Sequence, residues 1–274
     1  MSDVRITIHR AASEIGGNCI EITNEDGARL ILDAGRPLDV PEGLEPQLPA
    51  SLDLSKPVEG VLLSHPHQDH YGLLQQLPAS WPVFSGKAAA KLIKLTSEII
   101  HEPITRSISP WLSGSPFQVG PFRITPMLTD HSAFDAYMIQ VEIAGKKILY
   151  SGDFRTHGRK KVLVERLMAI PPKNLDALIM EGTNLGSDKP CISESDLEEQ
   201  FVDLFQKTTG RVFVAWSAQN IDRTVSLYRA CKKTGRTLVV DLYTAEVLEM
   251  LGEHARIPQP GWPNLKVVIT SRLS

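Results

Sequence analysis

The stretch Val61-Leu62-Leu63-Ser64-His65-Pro66-His67-Gln68-Asp69-His70-Tyr71-Gly72 constrains this chain more than any other. An apolar, strand-like run leads directly into three histidines and one aspartate within six residues. Neutral imidazole is the commonest metal ligand, and imidazole with carboxylate suits zinc or manganese. In an extended turn His65 and His67 can point the same way, leaving Asp69 and His70 to face a second metal. A lone His-x-His pair is a weak signal; His-x-His-x-Asp-His at a strand end is a strong one. The competing reading is a chance cluster of surface histidines.

The remaining sequence sets the frame for that cluster. A length of 274 residues allows one large or two medium domains. With a net charge of -3, no global field draws the chain onto nucleic acid, so any polyanion must meet a local basic patch. Cys19, Cys191 and Cys231 are far apart and form no Cys-x-x-Cys pair, which argues against a secreted disulfide scaffold. The opening MSDVRITIHR has no apolar signal-peptide core. No apolar run reaches the ~20 residues a membrane helix needs. The expectation is a soluble, cytoplasmic chain.

Up to about Asp153, strand-like runs dominate: Val4–Ile8, Cys19–Ile22, Arg29–Leu32, Gly60–Leu63, Phe122–Pro126, Ala136–Ile143 and Lys147–Tyr150. Asn24-Glu25-Asp26-Gly27 reads as a hairpin turn. The spacing of Leu92, Ile93, Leu95 and Ile99 predicts a helix over Lys87–His101. Pro37–Pro57, with five prolines, reads as a loop. After Asp176 the texture changes. Strands at Ala177–Met180, Val212–Trp216, Thr237–Asp241 and Lys266–Ile269 alternate with helices at Ser193–Gln206, Asn220–Lys233 and Ala245–Leu251. Ser193 and Asp196 offer a capped helix start, and Gly210 and Gly235 stand where helices should end. Alternating strand and helix imply a parallel α/β unit, so the expected domains are 1–187 and 188–274.

Further ligand candidates stand beside later strand-like runs: Asp33 in Leu32-Asp33-Ala34-Gly35, His131 in Thr129-Asp130-His131-Ser132, and Asp153 in Ser151-Gly152-Asp153-Phe154. Each alone is more simply an ordinary loop residue. Their order, Asp33, His-x-His-x-Asp-His, His131, Asp153, resembles the leading motifs of the metallo-β-lactamase superfamily. The resemblance implies an α/β fold, an αββα sandwich with its metals at one sheet edge. It implies that His65, His67 and His131 hold one Zn2+, that Asp69 and His70 hold a second, and that Asp153 bridges them; Mn2+ is the alternative ion. Asp33 would orient ligands through hydrogen bonds. Two such ions sharing a hydroxide can drive an in-line displacement, with Asp69 handling the proton.

Two more segments narrow the resemblance. Ala12-Ser13-Glu14-Ile15-Gly16-Gly17-Asn18 looks like a turn of ribonuclease J-type enzymes. Glu181-Gly182-Thr183-Asn184, after an apolar strand, resembles the first motif of the β-CASP nucleases, a group that includes mRNA 3′-end-processing enzymes. Ser217–Arg223 is similar to a ribonuclease J segment only loosely. In that branch an α/β domain is inserted here, and Glu181 joins Asp69 and Asp33 as a catalytic candidate. The bland reading of Glu181 is a strand-end acid capping the next turn. The branch also implies two later histidines on a returning segment. This sequence stops at Thr270–Ser274, within the expected inserted domain, so either the chain is a fragment, the favoured reading, or its second metal site is degraded.

Arg155-Thr156-His157-Gly158-Arg159-Lys160-Lys161 follows Asp153 directly. Arg155, His157 and Arg159 are candidates for a phosphodiester backbone, against the simpler reading of a solvated basic turn. The sparse aromatics give no base-stacking platform. The expected function is a metal-dependent phosphodiesterase acting on RNA or single-stranded DNA, with no membrane partner and with a homo-oligomer left open. Alternatives are a small ester, thioester or lactone hydrolase, and a non-catalytic binding or scaffold protein.

Overall fold

In strand β3, Arg29–Leu32, every residue is buried, and the side chains divide by parity. Leu30 and Leu32 enter one core and Ile31 the other. Next to it, β4, Gly60–Leu62, sends Leu62 to the first core and Val61 to the second. Strands buried on both faces read as continuous apolar runs, which is why these two were legible.

The computed structural model describes residues 3–41 and 43–269. The segment Thr270–Ser274, read above as the stop within an inserted domain, lies outside the described residues. The chain divides into two compact units. The first comprises residues 1–129, 135–154 and 165–186; the second comprises 130–134, 155–164 and 187–274.

The first unit holds two sheets. One has six strands in order β1 (Val4–Arg10), β2 (Cys19–Asn24), β3, β4, β5 (Val83–Gly86) and β6 (Ser109–Trp111). Its first three strands are antiparallel, and β3 to β6 run parallel. The other has five strands, in order β11 (Ala177–Ile179), β10 (Lys146–Tyr150), β9 (Tyr137–Ile143), β8 (Phe122–Leu128) and β7 (Phe117–Val119). Only β10 and β11 pair in parallel there; the connection between them contains helix α3, Lys161–Ala169. The hairpin at Asn24–Gly27 forms as expected, with Gly27 at φ 83° and Asn24 Oδ1 accepting from Ala28 N at 2.9 Å.

Ile22, Leu30, Leu32 and Leu62 of the first sheet share one core with Phe122, Ile124, Ile139 and Val141 of the second. The two sheets therefore pack face to face. Full burial of each such side chain contributes about 1.5–3 kcal/mol. The other face of the six-stranded sheet is covered by Tyr71 of the short helix α1 (Gln68–Tyr71), Leu74, Trp81 and Ile93 of α2 (Lys87–Ile99). The result is the αββα type of layering. Asp135 joins the layers: its Oδ2 accepts from Ala88 N and Ala89 N at the start of α2, at 2.8 and 2.9 Å, and its Oδ1 accepts from Tyr137 at 2.6 Å.

The second unit is built on α4 (Glu194–Lys207), α5 (Ile221–Thr234), α6 (Leu242–Leu251) and a parallel pair, β12 (Leu238–Val240) and β13 (Leu265–Val267). Ser193 Oγ caps α4 by accepting from Asp196 N at 3.1 Å, and Gly235 ends α5 at φ 70°. Gly210 caps nothing, because α4 stops at Lys207 and Thr208 Oγ1 bonds back to Leu204 O at 2.8 Å. Residues 212–216, expected as a strand, form none among the described residues. No helix among the described residues is long and apolar enough to cross a membrane.

Candidate metal centre

The histidine run begins where β4 ends. Leu63 N donates to Phe84 O at 2.9 Å, and the chain then leaves the sheet as Ser64-His65-Pro66-His67 before turning into α1. Three backbone bonds fix this turn from behind. Asn18 N donates to Asp69 O at 3.0 Å, Ala34 N to His70 O at 2.8 Å and Arg36 N to Gln68 O at 2.9 Å. A Cβ on Gly35 would lie 1.7 Å from Asp69 O, so that approach demands glycine. The Asp33-Ala34-Gly35 and Gly16-Gly17-Asn18 segments are thus the floor of the histidine turn.

His65 and His70 are buried with ring centroids 3.9 Å apart, and His65 Nε2 lies 3.2 Å from His67 Nδ1. His70 Nε2 faces Asp153 Oδ1 at 3.4 Å and Asp69 Oδ2 at 3.7 Å. Ligand atoms of His65, His70 and Asp153 all lie within 4.8 Å of one another. This set contains only imidazole nitrogen and carboxylate oxygen, the donors that zinc or manganese takes. These residues fit a divalent cation.

The opposite edge of His70 is held by a buried aspartate. Asp33 is fully buried at φ 60°. Its Oδ1 accepts from Ser64 N at 2.7 Å; its Oδ2 accepts from Ser64 Oγ at 2.8 Å and Tyr150 Oη at 2.6 Å and faces His70 Nδ1 at 2.8 Å. Asn18 Nδ2 adds a contact to Tyr150 Oη at 3.3 Å. Burial alone pushes the His70 pKa down; the Asp33 and Asp153 carboxylates outweigh it and raise the value well above an ordinary histidine. Burial holds His67 below its ordinary value, against the pull of Asp69, and so keeps it in the neutral form a metal takes. The Tyr150 phenol is pushed up by burial and by Asp33, so it stays a donor.

Sequence reasoning did not assign Ser64, Tyr150 or Asn18. The signal for Tyr150 was available: it ends β10 on the inward parity of Ile148, where a buried hydroxyl must find a partner. Gly152, at φ 50°, turns the chain from Tyr150 to Asp153, and a Cβ there would meet Tyr137 O at 2.9 Å.

Glu181 follows β11. Its Oε1 accepts from Phe154 N at 2.8 Å and its own N donates to Ser151 Oγ at 3.0 Å, so it braces the turn that carries Asp153. Asp69, His70, Asp153 and Glu181 line one cavity of ≈ 440 Å³ together with Glu14, Asn18 and Thr183. His131 belongs to the short segment 130–134, which clusters with the second unit. It stands two residues beyond Thr129, whose N donates to Ala136 O at 2.9 Å at the sheet end. Arg155, His157 and Arg159 also belong to the second unit. There Arg155 pairs with Asp222 at 2.5 Å and Asp130 at 3.5 Å, and Arg159 with Glu198 at 2.7 Å. His157 O accepts from Glu194 N at 3.0 Å.

Three comparisons with known proteins bear on this geometry. Ribonuclease J 2 of Streptococcus pyogenes is 27% identical over 263 residues, covering 90% of this chain and 46% of that protein. Ribonuclease J of Mycobacterium tuberculosis is 27% identical over 268 residues, covering 90% and 47%. The chain thus spans less than half the length of these curated relatives. A solved structure of a protein of unknown function from Enterococcus faecalis superposes with a TM-score of 0.77 at 21% identity, covering 98% of this chain and 73% of that one. The family model of the metallo-β-lactamase superfamily matches residues 13–184, a span that contains every donor described above, and the chain belongs to that superfamily.

Proposed function

We propose that this chain is the metal-binding part of a hydrolase that cleaves phosphodiester bonds in RNA, or in single-stranded DNA. The observation that carries the reading is the convergence of His65, His70 and Asp153, with His70 and Asp153 lining an open cavity beside Asp69 and Asp33 fixing His70 from behind. The likeness to proteins named ribonuclease J supports RNA as the substrate class. His65, His67, Asp69, His70 and Asp153 would hold the cation. Zinc or manganese there supplies Lewis acidity and lowers the pKa of water.

The chain's own residues do the rest. Asp69, at the rim of the cavity, accepts a proton from the attacking water. Asp33, Ser64 and Tyr150 hold the His70 ring in one orientation. Glu181 holds the Asp153 turn through Phe154 N. Arg155 and Arg159 are left out of substrate binding, because carboxylates of the second unit already occupy both guanidiniums. A cytoplasmic setting is supported by three free thiols, Cys19, Cys191 and Cys231.

The test is cleavage of a 5′-labelled single-stranded RNA with manganese or zinc, beside an Asp153→Asn control. Cleavage by the wild type alone supports the reading. Equal cleavage by Asp153→Asn, or no cleavage by the wild type, sinks it.

A further inference from the structure

A second chemical grouping lies in the first unit, apart from the histidine turn. Strands β1 and β2 pair in register from Val4↔Asn24 to Ile8↔Ile20, and then Arg10 pairs with Cys19, so the register slips at His9. A bulge of this kind re-aims a side chain. The His9 imidazole is only 3% exposed. Its Nε2 lies 2.8 Å from Glu21 Oε2 and its Nδ1 2.8 Å from Ser51 Oγ.

The direction of this row follows from charge. The Glu21 carboxyl is held down to about 2, chiefly by the His9 hydrogen bond, with burial opposing and Arg29 adding its own hydrogen bond and charge. Arg29 Nε donates to the other oxygen, Oε1. An ionised carboxylate only accepts, so His9 Nε2 carries the proton. In the neutral ring Nδ1 is then an acceptor, and the Ser51 hydroxyl donates to it. Hydroxyl, imidazole and carboxylate stand in the order of nucleophile, base and orienting group.

Ser51 itself is exposed, on a shallow depression lined by Gln47, Leu48, Asp53 and Gln76. The segment bearing it is clamped on both sides. Arg10 donates to Gln47 O at 2.8 Å, Leu52 is buried, and Arg29 donates to Lys56 O at 3.0 Å. The nucleophile meets solvent while its base is shielded.

We propose that Ser51 is an acylation site, with His9 as its base and Glu21 as its positioning carboxylate, taking activated esters such as aryl esters. Ser51 Oγ bonds to the ester carbonyl carbon while its proton passes to His9 Nδ1. The carbon–oxygen bond to the aryl group breaks, and the aryloxide leaves with the electron pair. Glu21 stays ionised against the imidazolium, which then returns its proton to solvent. The step uses none of the metal donors.

The experiment is intact-mass and peptide-mapping analysis after p-nitrophenyl acetate treatment of the full chain, with and without EDTA. Ser55, exposed on the same loop with its Oγ bonded to Asp53 at 2.6 Å and no imidazole contact, is the internal reference. A base in contact contributes about 10²–10⁴-fold, so Ser51 is expected to acylate at least about ten-fold faster than Ser55. His9→Gln should slow Ser51 by at least about ten-fold, and EDTA should leave the Ser51 rate unchanged. Equal labelling of Ser51 and Ser55 in the wild type, or an unchanged Ser51 rate in His9→Gln, overturns the proposal.

Discussion

Tyr150 Oη donates to Asp33 Oδ2 at 2.6 Å, the same oxygen that faces His70 Nδ1 at 2.8 Å. The phenol therefore sets the position of a carboxylate that in turn sets the position of a candidate metal donor. Partners of this kind typically account for about 10–100-fold in metal affinity. Tyr150→Phe should weaken zinc binding by about ten-fold and Asp33→Asn by about a hundred-fold, both with an unchanged circular dichroism spectrum. Competition with a chromophoric chelator reads both. Wild-type affinity in Asp33→Asn would show that His70 needs no orienting partner.

Gly35 is the test of the floor. A Cβ there overlaps Asp69 O at 1.7 Å and crowds Asn18 N at 2.6 Å, both backbone atoms that no rotamer change can move. Gly35→Ala should destabilise the first unit by about 3 kcal/mol or more and displace the Asp69–His70 turn. Guanidinium unfolding measures the first effect and metal content the second. A stable variant with full metal content would contradict the close approach of these two segments.

The fold was legible where burial is two-sided or alternating. Leu30-Ile31-Leu32 announces itself because each residue has a core to enter, and Tyr137–Ile143 because Tyr137, Ile139, Val141 and Ile143 alternate into one core. The strands β5, β6 and β7 were missed for a physical reason. They have four, three and three residues, β6 contains Pro110, and β5 and β6 owe their shape to parallel neighbours. The converse error is Val212–Trp216. Its side chains alternate in exposure, but Phe213 is 91% exposed and the segment has no paired strand among the described residues. Alternation makes a strand possible; a hydrogen-bonded neighbour makes it one. In the site, the ligand types, their spacing and the inward parity of Tyr150 could be read, whereas the partnership of Ser64 and Tyr150 with Asp33 could not. Hydroxyl residues near strand ends are too common to single out until the buried carboxylate between them is located.

Glu21 gives the chain a defined acid response. Its carboxyl falls from an ordinary 4.5 to about 2 in the folded state, mainly through His9, with Arg29 adding to it. The folded chain thus binds this proton less readily than the unfolded chain. The stabilisation is complete above about pH 4.5 and is lost as pH falls toward 2. Glu21→Gln should be less stable than wild type at pH 7, and the gap should shrink on acidification through that window. Unfolding followed by tryptophan emission is suited to this, because Trp81 lies 5.7 Å beneath the Arg29 guanidinium. A gap that stays constant from pH 7 to 2.5 would remove Glu21 from the acid response.

Arg155 decides between two meanings of the basic stretch after Asp153. In the second unit its guanidinium meets Asp222 at 2.5 Å, Asp130 at 3.5 Å and Glu194 at 4.0 Å, and is itself only 11% exposed. Burial raises the Asp130 carboxyl above its ordinary value, and Arg155 is the principal charge opposing that rise. Removing one member of such a cluster strands the others, at a cost of about 3–5 kcal/mol. Arg155→Ala should therefore increase hydrogen exchange across α4 and α5, whose side chains Glu194 and Asp222 form the cluster. A phosphate-binding arginine would behave otherwise. Its loss would leave exchange in α4 and α5 unchanged and lower the salt dependence of RNA binding by about one charge. The two readouts are independent, and loss of protection with an unchanged salt slope is the outcome that the ion pairs demand.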